Sequence, residues 1–338
     1  MKDKNYGEKP EPFIEFVGLS DQDIRRILLD SLSEVIKDLK IDISISFNYD
    51  YLSDTPKSCF NVLILWEPAS VMPWQYSAAN LARFDLVIPM SVWRARNLGY
   101  SQHAFHPYRF TGANSKFDLT GPRQGIVMIN TAKFSAGSSS LYGLRRETSK
   151  LLHSRGLDYK LYGFDWNMKK SIEFKKRLIA ARNSFLANER VNFKELTSQV
   201  LYRYPEYAGH VPDKFSLLSH FTYSLVIEND LDWVTEKVFD SIFAGTIPIY
   251  VGPQLEEISK DLEDCLFRCE PRAQSIYDKL ISISNQEIEV KRQAIESFVT
   301  NFDFSDNGFW SPSFQWKRVA NIIMSNIIRN FNYLNQRQ

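Results

Sequence analysis

The residues of this sequence with the clearest potential for chemistry lie between positions 214 and 253. A continuously apolar run ends in residues 228–229 (EN), a short polar loop follows, and residues 233–237 (WVTEK) open a segment with helical spacing. Ligands of open α/β sheets bind beyond the carboxyl ends of strands, and backbone N–H groups at a helix start favour a diphosphate. Lys237 adds a full charge, and Glu236 can accept hydrogen bonds from ribose hydroxyls. In isolation this pair could be a solvated helical turn, but the ordered string predicts a nucleotide site.

The elements that must position this stretch follow from the hydrophobic pattern. Apolar spacing predicts helices over residues 24–39, 145–153, 167–189, 235–244 and 314–334. Short β-prone runs predict strands over residues 12–17, 43–47, 60–66, 84–89, 125–130, 159–162, 223–227, 247–251 and 266–268. Ser20 and Asp23 have capping-box spacing, which predicts that the first helix begins there. Strands that alternate with helices, without hairpin turns, indicate a parallel α/β protein.

Composition narrows the class of protein. The 338 residues are 44% hydrophobic and 24% charged, which is typical of a folded globular chain long enough for two domains. A net charge of +1 gives no overall electrostatic reason to bind nucleic acid. Three cysteines form no disulfide framework and suit a reducing compartment.

The distribution of apolar residues along the sequence predicts the cellular location. No run reaches the ~20 apolar residues needed to span a bilayer, and the first residues lack a signal-peptide core. We therefore expect a cytoplasmic protein without a transmembrane segment. The amphipathic pattern of residues 314–334 predicts a helix that packs back on the protein, although its positive residues Lys317, Arg318 and Arg329 leave open peripheral contact with a membrane.

Residues 214–253 resemble the donor-binding signature of the α1,3/4-fucosyltransferase family (glycosyltransferase family 10). Members read approximately F-x-L-x-F-E-N, then D-Y-V-T-E-K, then A-G-x-[VI]-P-[VI]-x-x-G-P, and this chain reads SLVIEN, DWVTEK and AGTIPIYVGP in the same order. The resemblance implies a GT-B architecture, with two Rossmann-like domains and a cleft between them. We accordingly assign residues 1–115 to an acceptor-binding domain, 116–312 to a donor-binding domain and 313–338 to the C-terminal helix. The residues expected to hold the nucleotide are Asn229, Trp233, Thr235, Glu236 and Lys237.

This chain departs from the signature in two ways. The spacer between Asn229 and Trp233 is shorter, and Trp233 replaces the usual tyrosine, which keeps an aromatic ring but loses a phenol hydrogen bond. These departures keep a second hypothesis open, in which the donor is another GDP- or NDP-sugar such as a related deoxysugar.

The resemblance also implies a cation for the donor phosphates. Family members carry an arginine about one turn into the helix that follows the first strand of the donor domain, ahead of an L-x-L-Y-G-like strand (here residues 159–163). Arg145 matches this position, with Arg146 as the alternative. Without the resemblance, both could be surface arginines.

Glu67 is the candidate catalytic base. It follows the most apolar strand of the first half, in the context LWEPAS, and a carboxylate that is partly desolvated by Trp66 and Pro68 would have its pKa raised toward the working range. The resembled family has a glutamate in a similar context, proposed as the general base. A strand-end glutamate that merely faces water is the alternative.

Asp230-Leu231-Asp232 spells a DxD, which holds a metal ion in another glycosyltransferase fold. The surrounding signature belongs to a fold that usually works without one, so we expect no metal site and no required cofactor. The sequence thus predicts an inverting transfer of L-fucose from GDP-fucose to a hydroxyl of a glycan, such as a bacterial surface polysaccharide. A different nucleotide sugar, a non-catalytic sugar-nucleotide-binding protein and a metal-dependent transferase remain the alternatives.

Overall fold

The computed structural model describes residues 12–48, 60–108, 121–187, 191–192, 197 and 202–335. Nine strands in these ranges form two wholly parallel sheets. The first has the order β1-β2-β3-β4, from Ile14–Val17, Ile43–Phe47, Phe60–Leu65 and Leu86–Pro89. The second has the order β6-β5-β7-β8-β9, with β5 at Ile126–Ile129, β6 at Tyr159–Tyr162, β7 at Tyr223–Ile227, β8 at Ile247–Val251 and β9 at Phe267–Arg268. The predicted parallel α/β architecture is confirmed.

Eleven α-helices in the described ranges connect and cover these sheets. They are α1 (Gln22–Leu39), α2 (Ala78–Leu81), α3 (Val92–Asn97), α4 (Tyr142–Ser154), α5 (Lys170–Leu186), α6 (Lys214–Leu218), α7 (Glu236–Phe243), α8 (Lys260–Asp264), α9 (Ala273–Ser282), α10 (Asn285–Asn301) and α11 (Pro312–Asn335). The predicted start of α1 at Ser20 is wrong, because the Asp21 carboxylate accepts the N–H groups of Asp23 and Ile24 and so caps the helix. The hydrophobic pattern did not predict the short helices α2, α3, α6 and α8, nor α9 or α10, although Ser284 and Glu287 form a capping box at the start of α10.

In the second sheet, the side on which the chain adds its next strand changes at β5. From β5 the chain adds β6 on one side and later β7 on the other, so the connections at the carboxyl ends of β5 and β7 run apart. Such a switch point leaves a crevice, which is where open α/β sheets bind ligands. Asn130 follows β5 at this edge, and Glu228 and Asn229 follow β7.

Helix α11 returns to the first sheet. Trp316, Val319 and Ile323 are fully buried in one apolar cluster with Leu28 and Leu32 of α1. The apolar face of the C-terminal helix is therefore covered by α1, and this packing is what would hold the two ends of the described chain together.

The remaining predictions concern the domain boundary, the cysteines and membrane-spanning helices. The domain boundary placed between residues 115 and 116 lies outside the described residues, as does Cys59. Cys265 and Cys269 are buried and unbridged. No helix in the described ranges is long and apolar enough to cross a membrane.

Candidate functional site

A cavity of about 300 Å³ opens at the carboxyl ends of β5 and β7. This volume lies at the lower end of the roughly 300–1,000 Å³ range of ligand pockets. Both halves of the chain contribute to its wall, which includes Trp66, Glu67, His106, Asn130, Lys133, Arg145, Lys214, Asn229, Trp233, Thr235, Glu236 and Lys237. The structure thus brings together every predicted site residue except Arg146.

The start of α7 is fixed by the carboxylate that follows β7. Glu228 is fully buried, and it accepts hydrogen bonds from the Thr235 backbone N–H at 3.1 Å and from the Thr235 hydroxyl at 2.6 Å. Burial raises the pKa of Glu228, and the nearby Lys237 ammonium opposes that rise. Glu228 therefore ties the end of the strand to the residue that precedes α7, a positioning role that the sequence did not reveal.

Arg145 is a buried cation in the cavity wall. Its Nε and Nη2 donate to the carbonyl oxygen of Ile227 at 3.1 and 2.7 Å, and Nη2 also donates to Asn229 Oδ1 at 2.8 Å. Burial lowers the pKa of Arg145 to about 10, so it stays charged at neutral pH. Within the described part of the chain no carboxylate forms an ion pair with it. A guanidinium held in this way is available to a bound anion.

Lys237 and Glu236 form the first turn of α7. The Lys237 ammonium donates to Thr235 Oγ1 at 2.8 Å and lies 3.9 Å from Glu228 Oε2. Burial lowers the pKa of Lys237, while the carboxylates of Glu236 and Glu228 act to raise it. Burial acts to raise the pKa of Glu236, but Lys237, Lys214, a backbone hydrogen bond and His106 together outweigh burial and lower the pKa to about 2. Glu236 is thus an ionised acceptor, as binding to ribose hydroxyls requires.

The backbone of Glu67 is clamped on both sides. Asn48 Oδ1 accepts the N–H groups of Trp66 and Glu67 at 3.1 and 2.9 Å. The Tyr76 hydroxyl and the Gln75 side-chain amide donate to the Glu67 carbonyl at 2.5 and 3.0 Å. These bonds fix the Glu67 backbone at the edge of the cavity, and the residue forms part of its wall.

The raised pKa of the Glu67 carboxyl suits a general base. Burial raises the pKa of its carboxyl above the ordinary value of 4.5, and the Lys133 ammonium acts against that rise. A carboxylate whose pKa is moved toward neutrality accepts a proton more readily from an attacking hydroxyl.

Trp233 and Arg146, both predicted to bind the donor, are almost completely buried. Trp233 is 1% exposed and belongs to the apolar cluster of the first sheet, with one side on the cavity. Arg146 is 2% exposed, donates from Nη1 to the Lys133 carbonyl at 2.8 Å and lies over the Phe134 ring. Of the two arginines, Arg145 lines the cavity and Arg146 does not.

The DxD carboxylates make contacts within the protein. Asp232 Oδ1 lies 2.8 Å and Asp230 Oδ2 lies 3.5 Å from Arg94 Nη2. Asp230 also accepts the backbone N–H of Ser70, and Asp232 accepts the amide of Asn97. In the described ranges no cluster of three or more histidine, cysteine or acidic residues has a metal-binding arrangement. The motif in this structure joins the two halves of the chain.

Several residues of the wall escaped prediction from the sequence, among them Asn130, Lys133, Lys214 and His106. Asn130 is the most informative, because its side chain is buried and its amide has no hydrogen-bond partner among the described residues. Its position directly after β5, at the switch point, is a signal that could have identified it. Lys133 and Lys214 add positive charge, and the His106 ring packs on Trp66 with ring centres 4.2 Å apart. Burial lowers the pKa of His106, which favours its neutral form.

The sequence matches no protein-family model. Among solved structures, an α1,3-fucosyltransferase with GDP aligns over 96% of this chain and 93% of its own, with 14% identity and a TM-score of 0.50. A glycosyltransferase from Rickettsia africae ESF-5 aligns over 92% and 84%, with 15% identity and a TM-score of 0.44. A trehalose 6-phosphate synthase from Burkholderia multivorans aligns over 95% and 78%, with 9% identity and a TM-score of 0.47. The alignment with the α1,3-fucosyltransferase structure agrees with the two parallel sheets and the cavity walled by both halves of the chain, and the fold is GT-B.

Proposed function

We propose that this protein is an inverting glycosyltransferase that moves L-fucose from GDP-β-L-fucose to a hydroxyl of a glycan acceptor. The observation that carries the proposal is the single cavity in which Arg145 and Lys237, from the second half, share a wall with Glu67 from the first. A cationic group for a diphosphate and a carboxylate of raised pKa for a hydroxyl are the two requirements of such a transfer.

In the proposed reaction, Glu67 takes the proton of the acceptor hydroxyl as its oxygen attacks C1 of the sugar. The new C1–O bond forms as the bond from C1 to the GDP β-phosphate oxygen breaks, so the β-configured donor gives an α-linked product. The extra negative charge develops on the leaving diphosphate, where Arg145 and Lys237 stabilise it. Asn229, Trp233, Thr235 and Glu236 hold the nucleotide, with Glu236 accepting from ribose hydroxyls.

Fucose as the sugar and GDP as the nucleotide rest on the resemblance of residues 214–253 to the fucosyltransferase signature. We propose an α1,3-linkage and an acceptor on a bacterial surface polysaccharide or related oligosaccharide, and both rest on the same resemblance. The short spacer before Trp233 and the loss of a tyrosine hydroxyl there favour a second candidate, which is the same chemistry with another GDP- or NDP-sugar.

The donor question has a direct test. The purified protein is assayed for slow hydrolysis of four nucleotide sugars, which are GDP-fucose, GDP-mannose, UDP-glucose and UDP-N-acetylglucosamine. Calorimetry measures the binding of GDP and of UDP. Faster hydrolysis of GDP-fucose and preferential binding of GDP support the proposal. GDP preference without fucose preference supports the second candidate, and no nucleotide binding rejects both.

We propose further that transfer needs no bound metal ion. Support comes from the cavity's own cations and from the engagement of Asp230 and Asp232 with Arg94. Full activity after treatment with EDTA is the expected result. Loss of activity that Mn²⁺ or Mg²⁺ restores would instead identify a metal-dependent enzyme.

A further inference from the structure

Helix α5 has an unusual distribution of residues. Its inward face consists of Glu173, Arg177, Ala180 and Ser184, all of them buried. Arg177 donates to Glu173 at 2.7 Å and lies over the Phe134 ring, so the two charged groups of this face pair with each other inside the protein. A surface helix normally buries its apolar face, and α5 buries its polar one.

The outward face of α5 carries the apolar residues instead. Ile172, Phe174, Leu178, Ile179, Phe185 and Leu186 are between 44% and 76% exposed. They are six of the fifteen large apolar side chains that are exposed in the described ranges, and one helix of 17 residues, about 25 Å long, holds them all. A concentration of exposed apolar side chains on one face of a helix marks an interaction surface.

Positive charge accompanies the patch. Residues 169–186 contain six lysines and arginines but only one carboxylate, whereas the whole chain has a net charge of +1. Lys170 and Lys176 pair with Glu173 and Asp165. Lys175 and Arg182 are exposed, and no carboxylate in the described ranges pairs with either of them. At helical spacing these two cations lie between the apolar rows 174/178/185 and 172/179/186.

We propose that the outward face of α5 binds the surface of an anionic lipid bilayer. The two apolar rows would enter the boundary between headgroups and acyl chains, while Lys175 and Arg182 reach the lipid phosphates. Charge complementarity favours an anionic bilayer over an uncharged apolar partner, because an uncharged surface would leave Lys175 and Arg182 without a counter-ion. The proposal is independent of which sugar the cavity accepts.

Sedimentation with vesicles tests the proposal on the full chain. Phosphatidylcholine vesicles with phosphatidylglycerol are expected to bind the protein, and vesicles of phosphatidylcholine alone to bind it at least about tenfold more weakly, a difference that added salt reduces. The double variants Lys175→Glu/Arg182→Glu and Phe174→Ser/Phe185→Ser should each weaken binding to the anionic vesicles at least about tenfold.

Matched variants elsewhere serve as controls. Lys317→Glu/Arg329→Glu reverses two exposed charges on α11, and Ile281→Ser/Val290→Ser removes two exposed apolar side chains on α9 and α10. Both controls should bind vesicles within about twofold of the unchanged protein. Circular dichroism and thermal melting establish that each variant is folded, as the exposure of the changed residues predicts.

Two outcomes overturn the proposal. In the first, the unchanged protein does not sediment with anionic vesicles. In the second, the α11 charge reversal weakens binding as much as the α5 reversal. If vesicle binding is absent and the Phe174→Ser/Phe185→Ser variant halves the mass measured by light scattering, a second copy of the chain is the occupant of the face.

Discussion

Arg94 Nη2 lies 2.8 Å from Asp232 Oδ1, and this contact joins α3 of the first half to the loop that leads into α7 of the second. The same guanidinium lies 3.5 Å from Asp230, and the hydroxyl of Ser91 donates to the backbone carbonyl of Asp232. Arg94 also lies over the ring of Tyr76, whose hydroxyl holds the Glu67 backbone. One arginine therefore connects the loop at the donor side of the cavity to the support of the candidate base.

Arg94→Met is expected to destabilise the protein by about 3–5 kcal/mol, because it leaves the buried carboxylates of Asp230 and Asp232 without their cation. Urea unfolding monitored by tryptophan fluorescence measures the loss. Arg96→Met is the matched control, since Arg96 is two residues away and forms a solvent-exposed pair with Glu257, worth at most about 1 kcal/mol. Equal losses in the two variants would show that the Arg94 contacts are no stronger than a surface pair.

Glu67→Gln is expected to lower the transfer rate about 100-fold or more, since the amide keeps the size of the side chain but cannot accept the proton. GDP affinity, measured by calorimetry, should be unchanged within about twofold, because the proposed contact of Glu67 is with the acceptor. Glu34→Gln, an exposed change on α1, controls for the loss of one negative charge. Unchanged transfer by the Glu67 variant would show that another group accepts the proton.

The pH dependence of kcat/KM tests the surroundings of Glu67. A base must be ionised to act, so activity rises as pH increases through its pKa, and burial places that pKa above 4.5. The Lys133 ammonium lowers the pKa of Glu67, and Lys133→Met should therefore move the rising limb to higher pH. Lys160→Met, at an exposed position on β6, should leave the limb in place. A shift to lower pH would contradict the assigned electrostatics.

The sequence predicted the strands well because their signals are local. The strands over residues 43–47, 159–162, 223–227 and 247–251 have the predicted bounds, since short runs rich in β-branched and aromatic residues are typical of strands. The helix start at Asp21, one residue after the predicted cap, depended on which of two adjacent side chains reaches the free N–H groups. Periodicity cannot decide that question.

The roles that sequence reasoning missed are those that depend on contacts between separate segments of the chain. Glu228 acts through Thr235, seven residues later, and the DxD carboxylates meet Arg94, more than a hundred residues earlier. Which of the two arginines lines the cavity depends on the orientation of α4. Arg145 donates to the Ile227 carbonyl and Arg146 to the Lys133 carbonyl. The inverted polarity of α5 was also hidden, because spacing alone does not say which face of a helix is buried.

Arg145→Lys is expected to weaken GDP binding about tenfold, because lysine keeps the charge but not the planar fork that suits a phosphate. Calorimetry with GDP and with guanosine separates the two parts of the ligand, and guanosine affinity should change little. Arg146→Lys should alter GDP affinity less than about twofold, as Arg146 does not line the cavity. A larger effect from Arg146 than from Arg145 would reverse the assignment.

Asn130→Leu separates binding from folding at the switch point. The Asn130 amide is buried without a partner in the described structure, so an apolar side chain of similar size should leave stability unchanged or raise it by about 1 kcal/mol. The Asn130 amide also lies in the cavity wall, where a bound nucleotide sugar would supply the missing hydrogen bonds, so donor affinity should fall about fivefold or more. Urea unfolding and calorimetry with GDP-fucose measure the two quantities. Asn61→Leu, at another buried asparagine that follows no strand end, should affect stability only. A loss of stability in Asn130→Leu without any change in donor affinity would assign Asn130 to the fold and remove it from the site.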